Sequence, residues 1–140
     1  MAFWLLKSEP RAFSWADQVG LGERGGAWHG VRNFQARNNM RAMRVGERAF
    51  FYHSGPGPEV VGVAEVAGPA RPDPTSDDPR WECVDVRAAR PLARPVTLAA
   101  IRAEPALSGM VLVRSPRLSV QPVTEAEWRL VCAMGGIDPD

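Results

Sequence analysis

Lysine is almost missing from this chain: Lys7 stands alone against sixteen arginines in 140 residues. Tyrosine occurs once, and histidine and cysteine twice each. Cys83 and Cys132 are far apart, with no CxxC or His-rich spacing, so no metal site is expected. Both read as buried, reduced thiols of a cytoplasmic protein. No apolar run approaches the ~20 residues of a membrane helix. The N-terminus lacks a basic segment followed by an apolar core and a cleavage site, which argues against a secretory signal. There is no phosphate loop, no dinucleotide fingerprint and no nucleophile elbow. Net charge is only +1, so this is not a globally basic nucleic-acid binder.

What is present suits one domain spanning residues 1–140, long enough to bury a core. Thirteen prolines and thirteen glycines imply many turns and short strands. Ala2–Lys7 reads as a buried first strand, and Ser14-Trp15-Ala16-Asp17 as the capping-box start of a short helix ending by Gly20. Asn33–Arg44 reads as helical in its second half, with Ala36, Met40 and Met43 on one side and Arg37, Arg41 and Arg44 on the other. Strands follow at Arg48–His53 and Glu59–Val66, where Gly62 permits a bulge or a close approach. Further strands are expected at Trp81–Arg87, Gly109–Val113 and Arg117–Val120, and a short helix at Val96–Ala103. Thr124-Glu125-Ala126-Glu127 caps a final helix through Met134. The pattern predicts an α+β fold, a compact β-barrel with short surrounding helices.

The densest chemistry lies in Trp28-His29-Gly30-Val31-Arg32-Asn33-Phe34-Gln35-Ala36-Arg37-Asn38-Asn39. Amides and guanidiniums read base edges and phosphates, and aromatic faces accept unstacked bases. Six arginines and one acid, Glu47, lie between Arg24 and Arg48, a local basic patch on a nearly neutral protein. A base-binding pocket needs aromatic walls and edge contacts. Trp28 is the candidate first wall, and Phe51, Tyr52 or Trp81 the second. Ser8, Asn33, Gln35, His53 and Ser54 are candidate edge contacts. Trp4, Trp15 and Trp128 are assigned to packing. A Ser–His–Asp arrangement of Ser8 or Ser54 with His53 and Asp17 has no local signature behind it.

Several long stretches resemble the EVE domain family of the PUA-like superfamily. They include Trp4-Leu5-Leu6-Lys7-Ser8-Glu9-Pro10, the Trp28–Asn38 segment, Phe50-Phe51-Tyr52-His53-Ser54 and Arg117-Leu118-Ser119-Val120-Gln121-Pro122-Val123. They run in the family's order over nearly the whole chain. The loop before Arg80-Trp81 is shorter than in many members. The resemblance implies a PUA-like β-barrel and distant kinship with YTH domains, which hold a methylated adenine in an aromatic cage. By that analogy Lys7, Ser8 and Trp28 fall at pocket positions. The family is associated with reading modified bases in DNA.

The resulting expectation is a module that binds a modified cytosine or adenine in nucleic acid, more readily DNA, with no cofactor and no membrane. Trp28 stacks on the base, outside the core. Ser8, Asn33 and Ser54 hydrogen-bond it, and Lys7, Arg32, Gln35 and Arg37 hold phosphate or support the pocket. Ser8, Trp28 and His53 should face one cavity. The runner-up is an enzyme of nucleotide or nucleic-acid metabolism using His53. A third reading, a scaffold for protein partners, requires an exposed apolar patch and no polar pocket.

Overall fold

The N-terminal apolar run is strand β1 (Phe3–Ser8), and the computed structural model describes all 140 residues. On one side β1 pairs in parallel with β3 (Arg48–His53), setting Leu5 opposite Phe50, Leu6 opposite Phe51 and Ser8 opposite His53. On its other side it takes β8 (Val120–Val123), antiparallel. A turn at Ser54–Pro58 leads from β3 into β4 (Glu59–Val66), which pairs with the long β7 (Asp85–Thr97). The two-residue β2 (Gly26–Ala27) joins the start of β7. The strand order is therefore β2-β7-β4-β3-β1-β8, an open sheet curled into a half-barrel. A small ribbon of β5 (Arg71–Pro72) and β6 (Glu82–Cys83) lies apart from it. With five short α-helices, the fold is α+β.

Local chemistry sets the helix ends. Helix α1 (Trp15–Gly20) begins at a capping box of Ser14 and Asp17, and α5 (Glu125–Met134) at one of Thr124 and Glu127. Helix α2 (Phe34–Ala42) is capped by Asn33, whose side chain accepts from Ala36 N, and α3 (Leu98–Ala103) by Thr97. Helix α4 (Val111–Arg114) has no side-chain cap.

Successive strand residues point to opposite faces, so the central strands feed two cores. Leu5, Phe50 and Tyr52 pack with Ile101, Leu112 and Trp128 on one face, where Phe50 stacks on Trp128 at 3.9 Å. Trp4, Leu6 and Phe51 pack with Trp28, Ala36 and Met40 on the other. The two thiols are free and buried, and burial pushes the Cys132 thiol up to about 11. No helix is long and apolar enough to cross a membrane.

Several expected elements differ. Helix α2 already begins at Phe34, ahead of the second half of Asn33–Arg44, and α3 begins at Leu98, with Val96 and Thr97 still in β7. Gly109–Val113 is not a strand; Val111–Arg114 is one helical turn with Leu112 buried. Burial of Leu112 overrides the local preference of Val111 and Val113 for strand. Arg117–Val120 is mostly turn, and the strand begins only at Val120. The strand expected at Trp81–Arg87 divides into β6 and β7, and β7 runs on to Thr97. Pro91 and Pro95 disguise that extension. They are tolerated because β2 leaves the outer edge of β7 after Val86 and the pairing with β4 is bulged there.

Two contacts position the region that follows. Gly62 lies under Trp15: a Cβ at this glycine would come within 2.6 Å of the indole. Trp15 N in turn donates to His53 Nε2 at 3.0 Å, so the start of α1 is anchored to the sheet. The second contact is the buried carboxylate of Asp73. It accepts from Gly30 N at 2.8 Å, Arg32 Nη1 at 3.0 Å, Thr75 N at 2.7 Å and Thr75 Oγ1 at 2.6 Å. This ties the proline-rich loop to the Trp28–Arg32 segment. Burial alone raises the Asp73 pKa. The hydrogen bonds from Thr75, Gly30 and Arg32 outweigh that effect and hold the carboxyl well below the usual range.

Gly62→Ala should cost ~1–3 kcal/mol through overpacking against Trp15, read from urea denaturation at neutral pH. Unchanged stability would mean that Trp15 moves aside freely. Asp73→Asn should cost ~1.5–3 kcal/mol, the scale of hydrogen bonds to a charged group. The folded pKa lies below the unfolded value of ~3.9. The contribution is thus complete above that value and is lost as pH falls toward the folded one. Denaturation between about pH 5 and about pH 2 should show parent stability declining more steeply than that of Asp73→Asn.

Candidate functional site

The Leu6–Phe51 face of the sheet opens into a cavity of about 600 Å³. The end of β1 supplies Ser8, the segment before α1 supplies Ala12 and Phe13, and β2 supplies Gly26 and Ala27. Trp28–Arg32 and, just ahead of β8, Ser119 complete the lining. The volume is that of a small-molecule site.

Trp28 carries this cavity and is at the same time a core residue. Its N–H donates to Val84 O at 2.7 Å. The residue as a whole is only 8% exposed. Phe13 meets it edge-on at 6.0 Å and Phe51 at 5.5 Å. The expected separation of Trp28 from the core is therefore corrected: one indole serves both. Truncation to alanine would remove a core side chain, a loss of ~3–5 kcal/mol, so the variant cannot leave the fold untouched.

Polar groups surround the indole. Ser8 Oγ donates to Phe13 O at 2.5 Å, leaving its lone pairs to accept from a ligand. The Ser119 hydroxyl makes no hydrogen bond within the protein, and its backbone carbonyl accepts from Lys7 N. His29 and the guanidinium of Arg32 stand at the exposed rim. Arg32 is aimed by Asp73, by the Val31 carbonyl at 3.0 Å and by Thr75 at 3.2 Å. Gly30, with φ +85°, makes the turn that lets its own N–H reach Asp73. An aromatic wall beside a hydroxyl acceptor, an imidazole and a fixed guanidinium suits a planar ligand with polar edges.

Of the residues expected here, Lys7, Ser8, Trp28 and Arg32 line the cavity. The others do not. Phe51 is fully enclosed behind Trp28 and presents no wall. Tyr52 points through the sheet into the other core. Ser54 sits with Tyr52 beside a second, smaller hollow of about 210 Å³ on that side. His53 lies next to Ser8 in register, so the strand ends do converge. Its Nε2 nevertheless accepts from Trp15 N, and the ring lies outside the cavity. Burial lowers the His53 pKa, more than the nearby Glu59 raises it. The histidine thus serves to satisfy a backbone donor, and the common cavity of Ser8, Trp28 and His53 reduces to Ser8 and Trp28. Neither Ser8 nor Ser54 is hydrogen-bonded to His53: Ser8 Oγ donates to Phe13 O, and His53 Nε2 accepts from Trp15 N.

Asn33 uses its side-chain oxygen to cap α2. Gln35 is exposed on that helix, away from the cavity. Trp81 stacks on Phe34 at 4.8 Å, and Arg37 lies over that same Phe34 ring. Lys7 borders both hollows, with Nζ donating to Pro116 O at 2.5 Å and lying 5.7 Å from the Tyr52 ring. Burial lowers its pKa. Glu9, Ala12, Phe13, His29 and Ser119 are among the lining residues beyond the expected set. His29 could have been found from its place beside Trp28 between glycines. Nothing local marks Ser119.

A model of the EVE domain matches residues 2–134. A protein of Agrobacterium tumefaciens known from its crystal structure is 53% identical, with 98% of this chain and 94% of that one covered and a TM-score of 0.96. Human thymocyte nuclear protein 1 is 36% identical over 97% of this chain and 75% of its own length. The crystal structure of human THYN1 protein in complex with 5-methylcytosine-containing DNA has a TM-score of 0.87 at 35% identity, covering 99% and 100% of the two chains. A YTH domain from Zygosaccharomyces rouxii, 18% identical with a TM-score of 0.56, shares the fold alone. The match over residues 2–134 and relatives of this similarity establish that the chain belongs to the EVE domain family.

Proposed function

We propose that this protein binds nucleic acid carrying a modified base, methylated cytosine in DNA foremost, and takes that base into the Trp28 cavity. The observation that carries this reading is the cavity itself, an indole wall beside the Ser8 and Ser119 hydroxyls, His29 and Arg32. The likeness to the THYN1 protein solved with 5-methylcytosine DNA supports it. In this reading Trp28 stacks on the base. Ser8 Oγ accepts from an exocyclic amine, and Ser119 and His29 meet the remaining edge. Arg32 takes the phosphate that crosses the rim.

A buried methyl group adds ~0.8 kcal/mol, about fourfold in affinity. That sets the scale on which one added methyl can be recognised through burial. The enzyme reading has lost its candidate base, because His53 is committed to Trp15 and lies outside the cavity.

Fluorescence anisotropy with labelled oligonucleotides tests the proposal. The panel carries 5-methylcytosine, 5-hydroxymethylcytosine, N6-methyladenine or no modification, at one fixed salt. A methylated strand should bind at least about fourfold tighter than its plain counterpart. Ala12→Trp plugs the cavity from an exposed rim position. It should weaken methylated DNA by at least about tenfold, or ~1.4 kcal/mol, with an unchanged melting temperature. Equal affinity for modified and plain strands, or indifference to Ala12→Trp, would overturn the reading. The salt slope should correspond to about two to four phosphates. Arg32 and Arg41 are already paired with Asp73 and Glu82, which limits what the patch can neutralise.

A further inference from the structure

Phe34 opens α2 with its ring in solvent, 48% exposed. It is nonetheless held firmly. The Trp81 indole stacks on it at 4.8 Å with an interplanar angle of 22°. The Arg37 guanidinium lies 4.8 Å from the ring centroid and that of Arg80 lies 6.0 Å away. Arg32 lies 5.8 Å from the Trp81 ring, and Arg32 also lines the cavity. A row of planar groups thus runs from the cavity mouth to the start of α2.

Charge along this row is uneven. Arg32 is matched by Asp73, and Arg80 by Asp78. Arg37 is held by neutral acceptors only. Its Nη1 donates to Arg80 O at 2.9 Å, and its Nε and Nη2 donate to Asn38 Oδ1 at 3.2 and 2.8 Å. Its guanidinium is pre-aimed, stacked and without a carboxylate. Lysine offers no such planar surface. An exposed ring beside an uncompensated guanidinium fits an apolar sugar face joined to a phosphate.

We propose that this row is a track for the nucleotide flanking the base in the cavity. The exposed margin of Phe34 and Trp81 packs on its sugar, and Arg37 binds its phosphate. The inference rests on the reading of the Trp28 cavity as a base site and adds the path of the strand away from it. The contact positions the strand and carries no sequence information, as backbone contacts generally do. Phe34 thereby acts in binding although it lies outside the cavity.

The test uses Phe34→Ser and Arg37→Gln in the full chain, both exposed or half-exposed helix positions, with melting temperature as the folding control. Both variants should lose several-fold in affinity for a methylated oligonucleotide, equally for different flanking sequences. Their preference for methylated over plain DNA should persist. Arg37→Gln should also lower the salt slope by ~0.9, one phosphate on duplex DNA. Parental affinity and slope in both variants, while Ala12→Trp removes binding, would overturn the track and leave the cavity reading standing. That is the result if the aromatic pair instead docks a protein. A parent protein without methyl preference would overturn the cavity reading and the track with it.

Discussion

The parallel pairing of β1 with β3 is the constraint on which the rest depends. It joins residues more than forty positions apart in sequence and sets Ser8 beside His53 at a common end. Three contacts beside the cavity are made close to that end. Trp15 reaches His53 from α1, Phe13 carbonyl reaches Ser8 from the segment before it, and Ser119 carbonyl receives Lys7 N–H from ahead of β8. With hydrophobic cores on both faces, the pair cannot slip by one residue without turning each core inside out.

The same pairing explains what the sequence made legible and what it concealed. Ser14 and Thr124 announced their helices because a capping box is a local chemical event. Strands β3 and β4 lay where expected because apolar runs bounded by turn residues need no distant information. Gly62 was recognised as a point of close approach, but Trp15 as the group approaching it could come only from the fold. Val111 and Val113 misled because burial of Leu112 in a helical turn outweighs local preference.

The site was legible as a region and much less as a set of residues. Phe51 and Tyr52, like His53 and Ser54, are adjacent in the chain and so look alike as candidates in the sequence. In a strand, neighbours are the residues that face apart. Hence Tyr52 and Ser54 border the smaller hollow, whereas Phe51 backs the larger one. Asn33 drew attention as an amide, yet an amide at the start of a helix already has a backbone donor to satisfy.

Trp28 spans two roles that most proteins assign to different residues. Its indole closes the core against Phe13 and Phe51 and also walls the cavity. Any substitution of such a residue changes the cavity wall and weakens the fold together. Rim positions such as Ala12, His29 and Ser119 line the same cavity without being part of the core. On the proposed reading, substitutions at the rim would alter the edge contacts and leave the indole wall in place.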